Sequence, residues 1–296
     1  MKNTIFTGAG IAIITPFNAD GSINFDELGR MIDDQIENGT DAIIICGTTG
    51  ESATMTDEEH LDSIKFAVKH VAGRVPVIAG TGSNDTRYAV ELSKEAEAAG
   101  ADALLVVTPY YNKTTQKGLI AHYTAIADAV NVPIILYNVP SRTGVNFDVA
   151  TLKELAKHKN IAAIKEASGN ISYVAKIAAA CGEDLDIYSG NDDMVVPIMS
   201  LGGKGVISVA SHVIPKQMHD MVKFCVENNF AEATKLQVEY LDLINDLFIE
   251  VNPIPVKEAM NMVGWNAGSC RLPLVDMTDD HKAKLKATLE KHGLIK

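Results

Sequence analysis

A closed (β/α)8 barrel followed by a helical C-terminal extension is the fold the sequence predicts, on three observations. Short apolar runs alternate with longer amphipathic stretches; eight such units fill about 220 residues; and no G-x-G-x-x-G follows the first run, which disfavours an open, doubly wound sheet.

The strand candidates in order are GAGIAIITPF (8–17), DAIIIC (41–46), PVIAGT (76–81), DALLVVTP (102–109), PIILYNVP (133–140), IAAIKEA (161–167), LDIYSG (185–190) and GVISVA (205–210). Each is apolar nearly throughout, the pattern of a parallel strand covered on both faces. Between them the period changes. In TDEEHLDSIKFAVKHV (56–71) and TRYAVELSKEAEAAG (86–100) apolar residues recur at three- and four-residue intervals, which predicts helices. Past Phe230 the strand signal stops, and helical patterns occupy AEATKLQVEYLDLINDLFIE (231–250), PVKEAMNMVG (255–264) and TDDHKAKLKATLEKHG (278–293). A barrel over 1–229 and a helical unit over 230–296 are therefore expected, with VNPIP (251–255) as the joint inside the second, because proline ends one helix and suits the start of the next.

Composition narrows the function. Hydrophobic residues make up 47% and charged residues 22% of the chain, ordinary globular proportions. The net charge of −12, with no dense Lys/Arg cluster, argues against nucleic acid and anionic membranes as partners. Pro16 interrupts the N-terminal apolar patch, which reads as a first strand and not a signal peptide, and no run reaches the roughly 18 apolar residues of a membrane span. Cys46, Cys181, Cys225 and Cys270 have neither C-x-x-C spacing nor disulfide-scaffold density and suit a reducing cytosol.

A barrel of this kind keeps its chemistry at the C-terminal ends of its strands. There the sequence reads GTTGES, TPYYN, YNVPSRTG, Lys165, SGNDD and SVASH. Lys165 ends the apolar run of the sixth strand. It is either a surface lysine at a frayed strand end or a desolvated amine able to attack a carbonyl and form a Schiff base. Glu166 should face the opposite side, toward the helices. The rest of the rim reads as neutral Gly, Thr, Tyr and Asn.

Metal activation would need converging His or carboxylate ligands. Seven of the eight histidines fall in helical patterns or at helix ends, and the eighth, His212, reads as a polar loop or helix-start residue. Asp192 and Asp193 disfavour a phosphorylated substrate, because they occupy one of the two usual phosphate-binding loops. GTTGES is a tight turn or a small-carboxylate site; Tyr110, Tyr111 and Tyr137 are core or interface aromatics or site residues; Arg142 is a surface charge or a carboxylate clamp.

Taken together, GTTGES, TPYYN, YNVPSRTG, IKEASGN, GVISVA and NPIPVK, in order along nearly the whole chain, resemble the dihydrodipicolinate synthase family, within the pyruvate-dependent class I aldolases that include N-acetylneuraminate lyase. The resemblance implies a metal-independent lyase with no cofactor, usually a homotetramer built as a dimer of dimers, condensing pyruvate with aspartate semialdehyde in lysine biosynthesis. It implies the Schiff base on Lys165 and a proton relay of Thr49, Tyr137 and Tyr111, the last reaching in from a neighbouring subunit. Thr48 and Thr49 would hold the pyruvate carboxylate, Arg142 the carboxylate of the aldehyde, and Gly190 and the Ile207 carbonyl would complete the pocket.

Sugar-acid lyases of the superfamily usually lack the arginine and carry Ser-Thr in place of Thr48–Thr49, so a 2-oxo-acid aldolase is the nearest alternative and a non-catalytic regulatory homologue a more distant one. Many members also bind lysine as a feedback inhibitor. The matching positions here are Ser52, Ala53, Asp57, His60, Asn84, Tyr88 and Tyr110, but Asp57 replaces a common histidine and Tyr88 a glutamate. Losing the carboxylate that would face the ligand's ammonium predicts weak or absent inhibition, with Asp57 read as a helix N-cap.

Overall fold

The computed structural model describes residues 3–296. Its eight strands are β1 (Gly8–Ala12), β2 (Ala42–Ile45), β3 (Val77–Gly80), β4 (Ala103–Val107), β5 (Ile134–Asn138), β6 (Ile161–Glu166), β7 (Asp186–Ser189) and β8 (Gly205–Ser208). They pair in parallel and in chain order, and β1 closes on β8. Each strand is shorter than the apolar run that predicts it, because the last residues of the run already turn into the rim loops.

Alternation along the strands divides the core in two. Ala12, Ile44, Ile78, Leu105, Tyr137, Ala163, Tyr188 and Ile207 pack inside the barrel. Ile11, Ile43, Leu104, Leu136 and Ile164 face outward into the helical layer. At the floor Tyr188 donates from its hydroxyl to the Phe6 carbonyl at 2.6 Å and stacks on the Phe6 ring with centroids 4.4 Å apart. That pair closes the N-terminal end of the barrel.

Outside run α1 (Phe25–Glu37), α2 (Asp57–Val71), α3 (Thr86–Ala98), α4 (Gln116–Ala129), α5 (Pro140–Thr143), α6 (Val149–Leu155), α7 (Ile171–Cys181), α8 (Val195–Ser200) and α9 (Pro215–Val226). The N-cap of α2 is Thr56, not Asp57: the Thr56 hydroxyl accepts from the Glu59 N–H, and the Glu59 carboxylate accepts from the Thr56 N–H. Asp57 is the first helical residue and is free to accept from elsewhere.

The C-terminal segment forms α10 (Phe230–Glu239), α11 (Leu241–Asp246), α12 (Ile254–Met262) and α13 (Asp279–Lys291). Its first helical pattern breaks at Tyr240, where α10, packed on α8 and α9, gives way to α11, packed on α13. The proline joint falls between α11 and α12, with Pro255 in the first turn of α12. Among the described residues no helix is long and apolar enough to cross a membrane.

Candidate active site

Lys165 sits in a row across the barrel, paired with Tyr137 of β5 on one side and Tyr188 of β7 on the other. It points inward and is only 6% exposed. Its Nζ lies 4.4 Å from the centroid of the Tyr137 ring, and it forms no ion pair with any described residue. An ammonium so placed loses much of its hydration and has no carboxylate within salt-bridge distance among the described residues, although the charge of Asp192 acts on it across the shared cavity.

With the floor closed, the lysine opens only upward, into a cavity of about 440 Å³ lined by Thr49, Tyr137, Arg142, Gly190, Asp192 and the C-terminal residues Ile244, Asn245, Phe248 and Asn252. Gly190 has a steric reason to be glycine. A Cβ there would meet the Ala167 Cβ at 2.7 Å and the Lys165 Cε at 3.2 Å, pressing on the lysine itself.

Glu166 faces outward, as strand alternation requires. Its carboxylate accepts from Asn138 Nδ2 at 2.7 Å and from the Ser168 N–H at 2.6 Å, and burial pushes its carboxyl above the usual range. It ties β5 to the loop after β6 and takes no part in the cavity.

The turn after β2 is held from several sides. Thr15 Oγ1 donates to the Gly50 carbonyl at 2.7 Å. Thr49 is buried, and its Oγ1 accepts from Asn252 Nδ2 at 3.0 Å. Glu51, with a left-handed φ of 57°, turns its carboxylate into the protein, where Lys257 Nζ donates at 2.7 Å and the Arg271 N–H at 2.9 Å. Both members of the Glu51–Lys257 pair are essentially inaccessible, and Lys257 Nζ also lies 4.1 Å from the Phe17 ring centroid. Breaking such a pair typically costs about 3–5 kcal/mol, because one charge is left buried and alone.

The structure thus gathers Lys165, Tyr137, Thr49, Arg142 and Gly190 around one cavity. Arg142, exposed at the mouth in α5, donates from Nη2 to the Asn252 carbonyl at 3.1 Å. Thr48 instead lines an adjoining cavity of about 530 Å³, which shares Tyr137 and Arg142. Ile207 packs in the inner barrel core, 1% exposed. Tyr111 is separate from all of these: it is 92% exposed, with a left-handed φ of 67°, a conformation that costs a bulky residue on the order of 1–3 kcal/mol.

The expectation of an uncharged rim is corrected by Asp192, which is buried and lines the lysine's cavity. One carboxylate oxygen accepts from the Val209 and Ala210 N–H groups, both at 2.9 Å; the other is buried with no hydrogen-bond partner among the described residues. Burial pushes its carboxyl up, partly offset by neighbouring donors and by the charge of Lys165.

His212 is likewise no loose polar residue. It is 3% exposed, its Nε2 accepting from the Ile14 N–H at 2.9 Å and its Nδ1 donating to the Val209 carbonyl at 2.8 Å. Sequence reasoning also missed Asn252 and the Glu51–Lys257 pair, although NPIPVK and GTTGES contain them. Nothing in either motif alone says that the two meet. Among the described residues no three His, Cys, Asp or Glu side chains are placed to hold a metal ion.

Ser52, Ala53, His60, Tyr88 and Tyr110 line the second cavity, and Asp57 and Asn84 do not. Asp57 accepts from the Tyr88 hydroxyl at 2.6 Å, while the Asn84 carbonyl accepts from Asn112 Nδ2 at 3.0 Å.

Known proteins resemble this chain along nearly its whole length. A family model described as the Dihydrodipicolinate synthetase family matches residues 5–292. A 4-hydroxy-tetrahydrodipicolinate synthase of Acetivibrio thermocellus is 58% identical over 295 residues, covering 100% of both chains. Among solved structures, a dihydrodipicolinate synthase from Cyanidioschyzon merolae with lysine bound is 42% identical, with a TM-score of 0.96 over 99% of this chain and 100% of that one. A chloride-inhibited dihydrodipicolinate synthase from Acinetobacter baumannii, complexed with pyruvate, gives the same 42% identity, TM-score of 0.96 and coverages of 99% and 100%.

Proposed function

The chain belongs to the dihydrodipicolinate synthetase family, and from that premise we propose that it is a 4-hydroxy-tetrahydrodipicolinate synthase, a metal-independent lyase condensing pyruvate with L-aspartate 4-semialdehyde through an imine on Lys165. The observation that carries this reading is the buried, unpaired Lys165 over the Tyr137 ring, at the closed end of a cavity whose mouth holds Arg142. The free amine attacks the keto carbon of pyruvate. Loss of water gives the imine, and loss of a methyl proton gives the enamine that bonds to the aldehyde carbon. Each step moves a proton, and hydroxyls can pass protons without a buried charge. Thr49, Tyr137 and Tyr111 supply those hydroxyls, Tyr111 from a second copy of the chain. Thr48 and Thr49 hold the pyruvate carboxylate, Gly190 and the Ile207 carbonyl border it, and Arg142 receives the carboxylate of the aldehyde. The expected assembly is a tetramer made of two dimers, working in the cytosol.

Borohydride added with pyruvate should reduce the imine and leave a stable adduct that peptide mapping places on Lys165. Lys165→Arg should prevent it, because a guanidinium stays protonated. Chelators should leave turnover intact. A coupled assay should show turnover with aspartate semialdehyde and none with N-acetylneuraminate. Missing adduct, or sugar-acid turnover alone, would overturn the assignment.

A further inference from the structure

The turn after β2 meets the C-terminal unit at one buried charge. Glu51 belongs to the turn that carries Thr48 and Thr49: its N–H donates to the Thr48 carbonyl at 3.1 Å, and its left-handed φ of 57° sends the side chain into the protein. Each carboxylate oxygen has its own donor, Lys257 Nζ of α12 at 2.7 Å on Oε1 and the Arg271 N–H at 2.9 Å on Oε2. Both donors are themselves anchored. Lys257 Nζ also donates to the Ser269 carbonyl at 3.1 Å, and the Arg271 guanidinium donates to both oxygens of Glu59 and to the carbonyls of Thr54 and Gly21.

The turn closes without this carboxylate. The Gly50 N–H donates to the Gly47 carbonyl, the Glu51 N–H to the Thr48 carbonyl, and the Thr15 hydroxyl to the Gly50 carbonyl. Glycine would adopt the left-handed φ at position 51 without strain, so glutamate there is explained by what its side chain holds. Stability alone does not account for it either, since a buried ion pair is often no more stabilising than well-packed neutral side chains. A carboxylate that accepts at both oxygens from two anchored donors does supply a fixed direction, and leaves the turn one position against the C-terminal unit.

We propose that Glu51 is a positioning residue for pyruvate: held by Lys257 and the Arg271 N–H, it sets the Thr48–Thr49 segment where that segment takes the substrate carboxylate, so that the C-terminal unit supplies part of the selectivity for a 2-oxo acid. The inference rests on the reading that Thr48 and Thr49 hold the carboxylate and that Lys165 carries the imine. Lys165 is anchored on a different strand, β6. Loosening Glu51 should therefore weaken recognition of the carboxylate and leave the amine able to attack a ketone.

The test uses the full-length wild type, Glu51→Gln and Glu51→Gln/Lys257→Met. For each, peptide mass follows the second-order rate at which borohydride traps pyruvate on Lys165, and the same rate with acetone, a ketone without a carboxylate; thermal unfolding is recorded alongside. Glutamine keeps the shape of Glu51 but has one acceptor oxygen, so its NH2 would face one of the two donors. In Glu51→Gln, trapping of pyruvate should slow by at least about tenfold while that of acetone stays within about threefold of wild type. In the double variant the opposing donor is gone and no charge is left unpaired, so the melting temperature should return toward the wild-type value while the preference for pyruvate stays low. A purely structural role would recover with the fold. If Glu51→Gln does not fold, the double variant decides by the same ratio. A pyruvate-to-acetone ratio within about twofold of wild type in the folded variants, or an equal loss for both ketones, overturns the proposal. A wild type that traps the two ketones equally overturns instead the reading of Thr48 and Thr49 as the carboxylate site, and one that forms no pyruvate adduct overturns the imine reading.

Discussion

At the scale of single residues, His212 shows how completely a side chain can be committed. The Ile14 N–H can only donate, so the Nε2 that accepts from it must be bare, and the ring's proton sits on Nδ1, against the Val209 carbonyl. Burial pushes its pKa from 6.5 down to about 4, opposed only by the bond to Val209. A histidine that resists protonation when folded leaves stability intact above its unfolded value; below it, the unfolded chain takes up a proton the native state refuses. Stability should therefore fall as pH drops from about 6.5 toward 4, with His212 contributing on the order of 3 kcal/mol by pH 4. Urea midpoints measured from about pH 7.5 down to about pH 4 check this. His212→Gln should be less stable at neutral pH but lose less on acidification; parallel slopes for the two proteins would show that the titration lies elsewhere. Glu166 illustrates the opposite case, a residue beside the nucleophile whose direction along the strand was legible because alternation depends on the backbone alone.

Two neighbouring elements, α2 and α3, decide what the second cavity can bind. Tyr88 reaches from the first turn of α3 to Asp57 at the start of α2, and burial together with that bond pushes its hydroxyl up to about 12, so it stays a neutral donor. His60 is held neutral by burial and donates to the Gly80 carbonyl at 2.8 Å. The described lining of this cavity contains no Asp or Glu. An amino-acid ligand would thus find hydroxyls and an imidazole but no unshared carboxylate for its ammonium. Steady-state assays should show weak or no inhibition by L-lysine, and Tyr88→Glu, which adds a carboxylate and releases Asp57, should strengthen it. Cooperative inhibition of the wild type at sub-millimolar lysine would count against this account. The positions themselves were readable in sequence; that Tyr88 and Asp57 satisfy each other was not, because they stand 31 residues apart.

On the scale of the whole molecule, the feature in want of an explanation is Tyr111. A tyrosine with left-handed backbone and 92% of its surface in solvent buries almost nothing against the described residues of its own chain to offset that conformation. A second copy receiving it would supply the contact, and would make a dimer the smallest competent unit. Mixing Tyr111→Phe with Lys165→Ala, each inactive alone, should restore activity in hybrids, because one of the two sites then regains both groups; random pairing of equal amounts would give about one quarter of wild-type activity. Hybrids shown to form but inactive would mean that Tyr111 serves its own subunit or only packs.

The sequence by itself determined what repeats with the backbone: eight apolar runs became eight strands, their alternation aimed Lys165 inward and Glu166 outward, and the strand ends held most of the residues that line the cavity. These follow from local period and from the geometry of a closed parallel sheet. Only the tertiary structure decided that Asn252 meets Thr49 across 203 positions, that Lys257 is buried against Glu51 across 206, and that Asp192 is buried with one oxygen on the Val209 and Ala210 N–H groups. Those contacts depend on how the C-terminal helices settle on the barrel and on where irregular loops turn. Neither carries a period for a sequence pattern to display.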